Sequence, residues 1–153
     1  MDKVNLTIDG IKVTVPADYT VLEAARSANI DIPTLCYLKD VNQIGACRIC
    51  LVEIKGARAL QASCVMPVSE GMEVRTNTPA LRAARRTNLE LLLSNHNREC
   101  TSCVRSGNCE LQALCNEYGV NDYPYEGKRT EHEIDSLSPS IVRDNSKCIL
   151  CRR

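Results

Sequence analysis

This sequence has no Phe or Trp and only five Tyr among its 153 residues, so large aromatic side chains contribute little to any core. Small domains with thin cores are commonly held together by disulfides or metals. Net charge is also absent, since 19 Lys and Arg balance 19 Asp and Glu. That balance predicts neither the basic face of a nucleic-acid-binding protein nor a polybasic membrane-binding segment.

Long apolar runs are missing too. The N-terminal Met-Asp-Lys-Val-Asn-Leu-Thr lacks the apolar centre of a secretory signal peptide. No stretch approaches the roughly 20 apolar residues of a membrane-spanning helix. What is abundant is cysteine, with ten residues. The lack of a signal peptide and of a membrane span predicts a cytoplasmic protein without membrane insertion. In that reducing compartment, dense cysteines bind metals more often than they form disulfides.

Four cysteines fall in one 29-residue window with the spacing Cys36-x10-Cys47-x2-Cys50-x13-Cys64. Their order matches the plant-type 2Fe–2S pattern, with longer loops between the cysteines. Gly45 lets the backbone curl where a Cβ would obstruct it. The alternative is a set of buried or disulfide-paired cysteines. The spacing favours an iron–sulfur cluster site.

The segments around this window predict a small α+β unit. Residues 3–7 and 11–15 alternate apolar and polar side chains about Asp9-Gly10, which predicts a β-hairpin. Thr20 and Glu23 have capping-box spacing, which predicts a helix from Val21 to about Ala28. A hairpin, a helix and then a cysteine loop resemble a β-grasp ferredoxin. Further strands are predicted at Leu51 to Ile54, Ala59 to Ala62 and Met72 to Arg75.

A second unit begins at Thr78-Pro79, a good N-cap followed by a residue suited to the first helical position. We interpret Arg82 and Arg86 on this helix as solvated side chains. Four apolar residues and one histidine recur at helical spacing on one face of this helix, at Leu81, Ala84, Leu89, Leu92 and His96.

His96 begins a second candidate ligand set, His96-x3-Cys100-x2-Cys103-x5-Cys109. Three thiolates and one imidazole match the four iron corners of a 4Fe–4S cluster. An imidazole in place of a thiolate leaves the site one charge less negative, which raises the reduction potential. The alternative is a helix-end or core histidine without a ligand role.

The following residues predict a loop and a short helix. Gly107 supplies backbone freedom before Cys109, and Asn108 is predicted to cap a helix from Cys109 to about Tyr118, ended by Gly119. Cys115 lies outside the ligand set, and we interpret it as a buried apolar thiol.

The last segment, from Asn121 to Lys147, is polar and is predicted to be a connector, with an extended stretch near Ser140 to Arg143. Cys148 and Cys151 then form the first half of a bacterial-type 4Fe–4S motif. Two thiols do not hold such a cluster alone, so we expect a partial site whose cluster requires a longer chain.

The two motifs together, with Cys109-Glu-Leu-Gln112, resemble the N-terminal iron–sulfur region of FeFe hydrogenase catalytic subunits. The same modules occur in the large iron–sulfur chain of complex I and in related formate dehydrogenase subunits. Cys103-Val-Arg-Ser-Gly-Asn-Cys109 and Ser138-Pro-Ser-Ile-Val-Arg-Asp144 favour the hydrogenase.

The resemblance implies a 2Fe–2S cluster on the first ligand set and a 4Fe–4S cluster on the second, with further 4Fe–4S clusters beginning at Cys148 and Cys151. It implies that the sequence holds no catalytic residue and only carries electrons, for a catalytic domain elsewhere. Flavin- and NAD(P)-binding subunits or a ferredoxin are the implied partners.

The expected architecture is therefore α+β. A β-grasp 2Fe–2S domain at 1–78 precedes a helical 4Fe–4S domain at 79–120, a connector at 121–147 and the start of a ferredoxin-type domain at 148–153. A zinc-binding interaction module is the alternative from another class, since four cysteines, or three cysteines and one histidine, also bind zinc. A disulfide-rich secreted protein is a third, which the lack of a signal peptide disfavours.

Overall fold

Asp9 and Gly10 both have positive φ, 49° and 84°, as a two-residue type I′ hairpin turn requires. The turn joins strands β1 (Lys3–Ile8) and β2 (Ile11–Pro16), which pair antiparallel along their whole length. The predicted hairpin is thus confirmed in the computed structural model, which describes residues 2–153.

Three more strands complete a five-stranded sheet with the order β2-β1-β5-β3-β4. Strand β5 (Glu73–Arg75) runs parallel to β1 and antiparallel to β3 (Leu51–Ile54), and β4 (Gln61–Ala62) pairs with β3. Together with the helix that follows the first hairpin, this is the predicted β-grasp arrangement.

The predicted strand from Ala59 to Ala62 is too long. Only Gln61 and Ala62 pair with β3. A turn follows β3, in which the Ala57 N–H donates to the Ile54 carbonyl (3.0 Å). The Gln61 side chain also donates to the Ala59 carbonyl (3.1 Å), which holds that residue in the loop.

Helix α1 (Val21–Ser27) begins with the predicted capping box. The Glu23 N–H donates to the Thr20 hydroxyl (3.3 Å), and the Thr20 N–H donates to the Glu23 carboxylate (2.9 Å). These reciprocal bonds satisfy backbone donors that a helix start would otherwise leave unpaired. The helix packs on the sheet through a buried face formed by Val21, Leu22, Ala24 and Ala25.

Replacing Thr20 by Ala is expected to lower the free energy of unfolding by about 1 kcal/mol, because an N-cap hydroxyl is lost. Urea denaturation of the cluster-loaded protein measures the change. Thr130→Ala, at an exposed position of the connector, is the control and should leave the denaturation midpoint unaltered. Equal midpoints for both variants would show that the capping box contributes nothing measurable.

Helix α2 (Pro79–Asn95) starts at Thr78 as predicted, and Thr78 also ties it to the sheet. Its hydroxyl accepts from the Leu81 N–H (3.3 Å) and donates to the Glu53 carboxylate of β3 (2.7 Å). The buried face differs from the predicted one, because the side chains that are buried lie four residues apart, at Leu81, Arg85, Leu89 and Leu93.

Helix α3 (Glu110–Glu117) has Cys109 at its N-cap, with no side-chain capping bond. The prediction that Asn108 caps this helix is therefore wrong. The Asn108 N–H donates to the Arg105 carbonyl (3.0 Å), so Asn108 belongs to the preceding turn. The helix ends as predicted at Gly119, which has a φ of 63°.

The molecule has two clusters of buried apolar residues. The N-terminal core lies between α1 and the sheet and includes Cys50 and Cys64. The second core lies between α2 and α3 but also takes in side chains from the first cysteine loop. Its buried members are Leu35, Cys36, Cys47, Ile49, Leu89, Leu93, Leu111, Leu114, Cys115 and Val120. The first cysteine loop thus joins the two cores.

The predicted connector is largely exposed and contains a short antiparallel pair, β6 (Ile134–Asp135) and β7 (Arg143–Asp144). A single 3-10 turn (Asn145–Lys147) follows. Its Ser146 carbonyl accepts from the Asn97 N–H (2.8 Å), which places the turn beside the end of α2. Among residues 2–153, none of the helices combines the length and apolar character that crossing a bilayer requires.

Candidate metal centres

The four thiols of the first candidate set converge in the interior. Cys36, Cys47, Cys50 and Cys64 are 1%, 9%, 1% and 0% exposed. Their side chains meet in two pairs, Cys36 with Cys47 and Cys50 with Cys64. Charges on Cys36, Cys47 and Cys50 also act on Cys64, so the two pairs lie close to each other.

Cys47 and Cys50, three residues apart in the same loop, do not pair with each other. Each of these two contacts a thiol from a flanking segment instead. The hydrogen bond from Cys64 lowers the pKa of Cys50 to about 6, despite burial. The same contact and burial raise the pKa of Cys64. One thiolate is therefore favoured in this pair even without a metal, and thiolate is the form that binds metals.

The loop before Cys47 depends on glycine. Gly45 has a φ of 61°, and an added Cβ would lie 3.4 Å from Cγ2 of Val65. A side chain at this position would therefore be strained by its backbone conformation. Arg48, between Cys47 and Cys50, also has a positive φ of 56°. These two turns curl the backbone beside the thiols, as the presence of Gly45 in the sequence predicts.

Three members of the second candidate set line a cavity of about 560 Å³ between the end of α2 and α3. His96, Cys100 and Cys109 line it, together with Cys115. Cys103 is not among the lining residues, but its N–H donates to the Cys100 carbonyl (3.1 Å), which keeps it in the adjoining turn. The structure thus brings three of the four predicted residues together and the fourth beside them.

His96 has an unexplained polar atom. Its Nδ1 is buried and has no hydrogen-bond partner within residues 2–153. Burial is the largest cause that lowers the pKa of His96, followed by the charge of Lys147, so the neutral imidazole is favoured. Buried polar groups normally have partners, and neutral imidazole is a metal ligand. These features fit a metal ligand better than a satisfied core histidine.

The position of His96 corrects one expectation. It is the C-cap of α2 with extended backbone, so it does not continue the helix face on which the sequence placed it. Cys115 is buried, as predicted, and burial raises its pKa to about 11.

Cys148 and Cys151 lie on a tight turn. The Leu150 N–H donates to Cys148 Sγ (3.3 Å), and Leu150 has a φ of 54°. The Cys151 carbonyl accepts from Asn42 Nδ2 (2.5 Å), whose other acceptor is the Cys36 carbonyl (3.3 Å). The turn therefore lies against the first cysteine loop.

All ten cysteines are free thiols. Within residues 2–153, no three His, Cys, Asp or Glu side chains are grouped closely enough for a single metal ion. A multi-iron cluster distributes its ligands over several irons, so the paired thiols of the first set and the cavity of the second are the relevant geometry.

The sequence interpretation missed Arg85, which is 2% exposed. Its guanidinium donates to the carbonyls of Ile49 and Leu51, on either side of Cys50. A signal was present, since Arg85 lies four residues after Leu81 and four before Leu89, within the buried stripe.

Comparison with known proteins gives two adjacent matches. Residues 1–79 match the family described as the 2Fe–2S iron–sulfur cluster binding domain, which is just over half of the chain. The chain belongs to this family. Residues 85–124 match the NADH-ubiquinone oxidoreductase-G iron–sulfur binding region. The two domains bind 2Fe–2S and 4Fe–4S clusters, which confirms the predicted cofactors.

Relatives of this 2Fe–2S family chain are larger oxidoreductase subunits. It is 46% identical to NADP-reducing hydrogenase subunit HndD of Solidesulfovibrio fructosivorans, over 100% of this chain and 27% of the relative. It is 42% identical to an NADH-quinone oxidoreductase subunit of Rhizobium meliloti, over 98% of this chain and 18% of the relative. The chain thus spans about a quarter or less of the length of these curated relatives.

A solved structure agrees. The chain superposes on an NAD+-reducing NiFe hydrogenase in the H2-reduced state with a TM-score of 0.89 and 36% identity, over 97% of this chain and 62% of that chain. The predicted resemblance, to an iron–sulfur region shared by hydrogenase and complex I subunits, is confirmed.

Proposed function

We propose that this chain relays single electrons between two iron–sulfur centres within a larger oxidoreductase. The observation that carries the proposal is the meeting of four buried thiols in two pairs. The proposed ligands are Cys36, Cys47, Cys50 and Cys64 for a 2Fe–2S cluster, and His96, Cys100, Cys103 and Cys109 for a 4Fe–4S cluster. When bound, such clusters take up and release one electron at a time.

The chain's own residues hold, shield and tune these centres. Burial of the first four thiols excludes water from their sulfurs, and backbone N–H groups of Cys36 and Ile49 lie against Cys47. Hydrogen bonds to sulfur and low solvent exposure are among the properties that set the potential of a cluster. The imidazole of His96 would make the second centre less negative than four thiolates would.

The parent enzyme that we favour is an FeFe hydrogenase, with these residues as its electron-transfer region and its catalytic domain elsewhere. The 46% identity to a hydrogenase subunit supports this choice. The 42% identity to a complex I-type subunit supports the alternative, the corresponding segment of an NADH or formate dehydrogenase. If the parent enzyme is a hydrogenase, the residues that follow Arg153 would supply further cluster cysteines and then the cysteine motifs of the hydrogen-activating site.

The partners that we propose are the catalytic part of the enzyme and a flavin- and NAD(P)-binding subunit or a ferredoxin. Relatives named as subunits of NADP-reducing and NADH-linked enzymes support this. We propose a cytoplasmic location, because ten free thiols and oxygen-sensitive clusters suit reducing conditions. We also propose a β-grasp 2Fe–2S domain at 1–78, a helical 4Fe–4S domain at 79–120, a connector at 121–147 and the start of a ferredoxin-type domain at 148–153. Cys148 and Cys151 would be part of a further 4Fe–4S site in that last domain.

Metal and sulfide analysis tests the proposal. Anaerobically reconstituted protein is expected to hold about six irons and six sulfides per chain and to give two distinct EPR signals when reduced, as one 2Fe–2S and one 4Fe–4S centre require. A colourless protein with two zinc ions and no sulfide would refute the electron-transfer function and support a zinc-binding interaction module.

A further inference from the structure

The buried guanidinium of Arg85 has no acidic partner. Among residues 2–153, no carboxylate lies within ion-pair distance of it. All its acceptors are neutral: the carbonyls of Ile49 (3.1 Å), Leu51 (2.8 Å) and Thr76 (2.8 Å), and the hydroxyl of Tyr118 (3.1 Å). Burying a charge without a counter-charge is costly, so the positive charge itself calls for an explanation.

Two of these carbonyls belong to the residues that flank Cys50. A third carbonyl of the same loop, that of Arg48, accepts from Nδ2 of Asn88, one turn after Arg85 on helix α2 (2.8 Å). Two side chains of helix α2 therefore hold the backbone around Cys50 by the carbonyl oxygens of Arg48, Ile49 and Leu51. This helix belongs to the second unit.

Holding these carbonyls also fixes the neighbouring N–H groups. The described peptide bonds are all trans, and in a planar trans peptide the N–H points opposite to the preceding C=O. Since Asn88 draws the Arg48 carbonyl towards α2, the Ile49 N–H is directed away from it.

The same relation holds one residue later. Arg85 Nε holds the Ile49 carbonyl, so the Cys50 N–H points away from α2. Both N–H groups are therefore turned away from α2.

We propose that Arg85 and Asn88 raise the reduction potential of the 2Fe–2S centre, although both lie on a helix outside the β-grasp unit that carries this centre. The inference rests on the proposed function of the first cysteine set. Reduction adds one negative charge to the centre. The buried positive charge of Arg85, bonded to the carbonyls on either side of Cys50, stabilises that added charge. Holding the loop carbonyls towards α2 also leaves the N–H groups of the same peptides available to the sulfurs. Docking of the second unit then contributes to the redox properties of the first.

Redox titration followed by EPR tests this. Reconstituted wild-type protein must first show the 2Fe–2S signal and its share of iron and sulfide. Arg85→Met, which keeps an unbranched apolar stem and removes the charge, is expected to shift the midpoint of that signal to more negative potential and to leave the 4Fe–4S midpoint unchanged. Asn88→Ala should shift it less, in the same direction, and Arg85→Lys should recover most of the wild-type value.

Arg82→Met is the matched control, since Arg82 lies on the same helix, is exposed, and its guanidinium donates to Asn77 and not to the cysteine loop. It should leave both midpoints unchanged. A merely structural Arg85 would alter cluster yield or thermal stability without moving the midpoint, and a cluster-loaded Arg85→Met protein with the wild-type midpoint overturns the inference.

If Arg85→Met does not retain its cluster, Asn88→Ala decides the question, because it removes one hydrogen bond at a partly exposed position. A wild-type midpoint in that variant then overturns the inference as well. A wild-type protein without a 2Fe–2S signal overturns the proposed function, which distinguishes the two failures.

Discussion

Replacing Cys50 by Ala is expected to abolish the 2Fe–2S centre and to leave the 4Fe–4S centre in place. The iron content should fall from about six to about four per chain, and one of the two EPR signals of the reduced protein should disappear. Cys50 is 1% exposed, and its sulfur contacts that of Cys64. The loss is large because alanine offers no ligand and the buried site admits no external one.

Cys115→Ala is the matched control for this prediction. Cys115 is also a buried free thiol, but it lies in the second core and its pKa is raised to about 11 by burial. Its replacement should preserve iron, sulfide and both EPR signals. If Cys115→Ala removed a centre, or if Cys50→Ala kept the full iron content, the assignment of the first ligand set would be wrong.

Local signals account for the parts of the fold that were predicted correctly. Asp9-Gly10 specifies its turn through two positive φ values. Thr20 and Glu23 specify the start of α1 through bonds to each other's backbone. Each of these depends on residues close in sequence, so no knowledge of the tertiary structure is needed to predict them.

The errors have one local and one distant cause. Asn108 has the side chain of a good N-cap, but a bond from its N–H to Arg105 places it in the preceding turn. Arg85 is charged, as surface residues commonly are, yet it is buried where its guanidinium donates to carbonyls of the first cysteine loop. Sequence spacing shows which residues share a helix face, and only the neighbouring segments determine which face is covered.

The candidate sites divide in the same way. Cysteine spacing predicted the four residues of the first set, but not that Cys36 pairs with Cys47 and Cys50 with Cys64, since that depends on how two flanking segments close on the loop. The contact of the last cysteine turn with the first loop through Asn42 could not be predicted either. It joins residues 109 positions apart.

His96→Cys is expected to keep a 4Fe–4S centre and to lower its reduction potential. A thiolate in place of the neutral imidazole makes the oxidised centre one charge more negative, so an added electron is less favourable. In Rieske centres two His ligands accompany a rise of at least about 250 mV, so a single exchange should change the potential by on the order of 100 mV. Redox titration of the 4Fe–4S EPR signal measures it.

His132→Cys provides the control, because His132 is the other of the two histidines and lies exposed in the connector. It should leave both signals and both midpoints unchanged. If His96→Cys gave the wild-type midpoint and an unaltered spectrum, His96 would not be a ligand. Within residues 2–153 the buried Nδ1 of His96 has no hydrogen-bond partner, which favours a ligand role and therefore a lowered potential in His96→Cys. A histidine that only ends a helix has no need to direct an unpaired nitrogen into the interior.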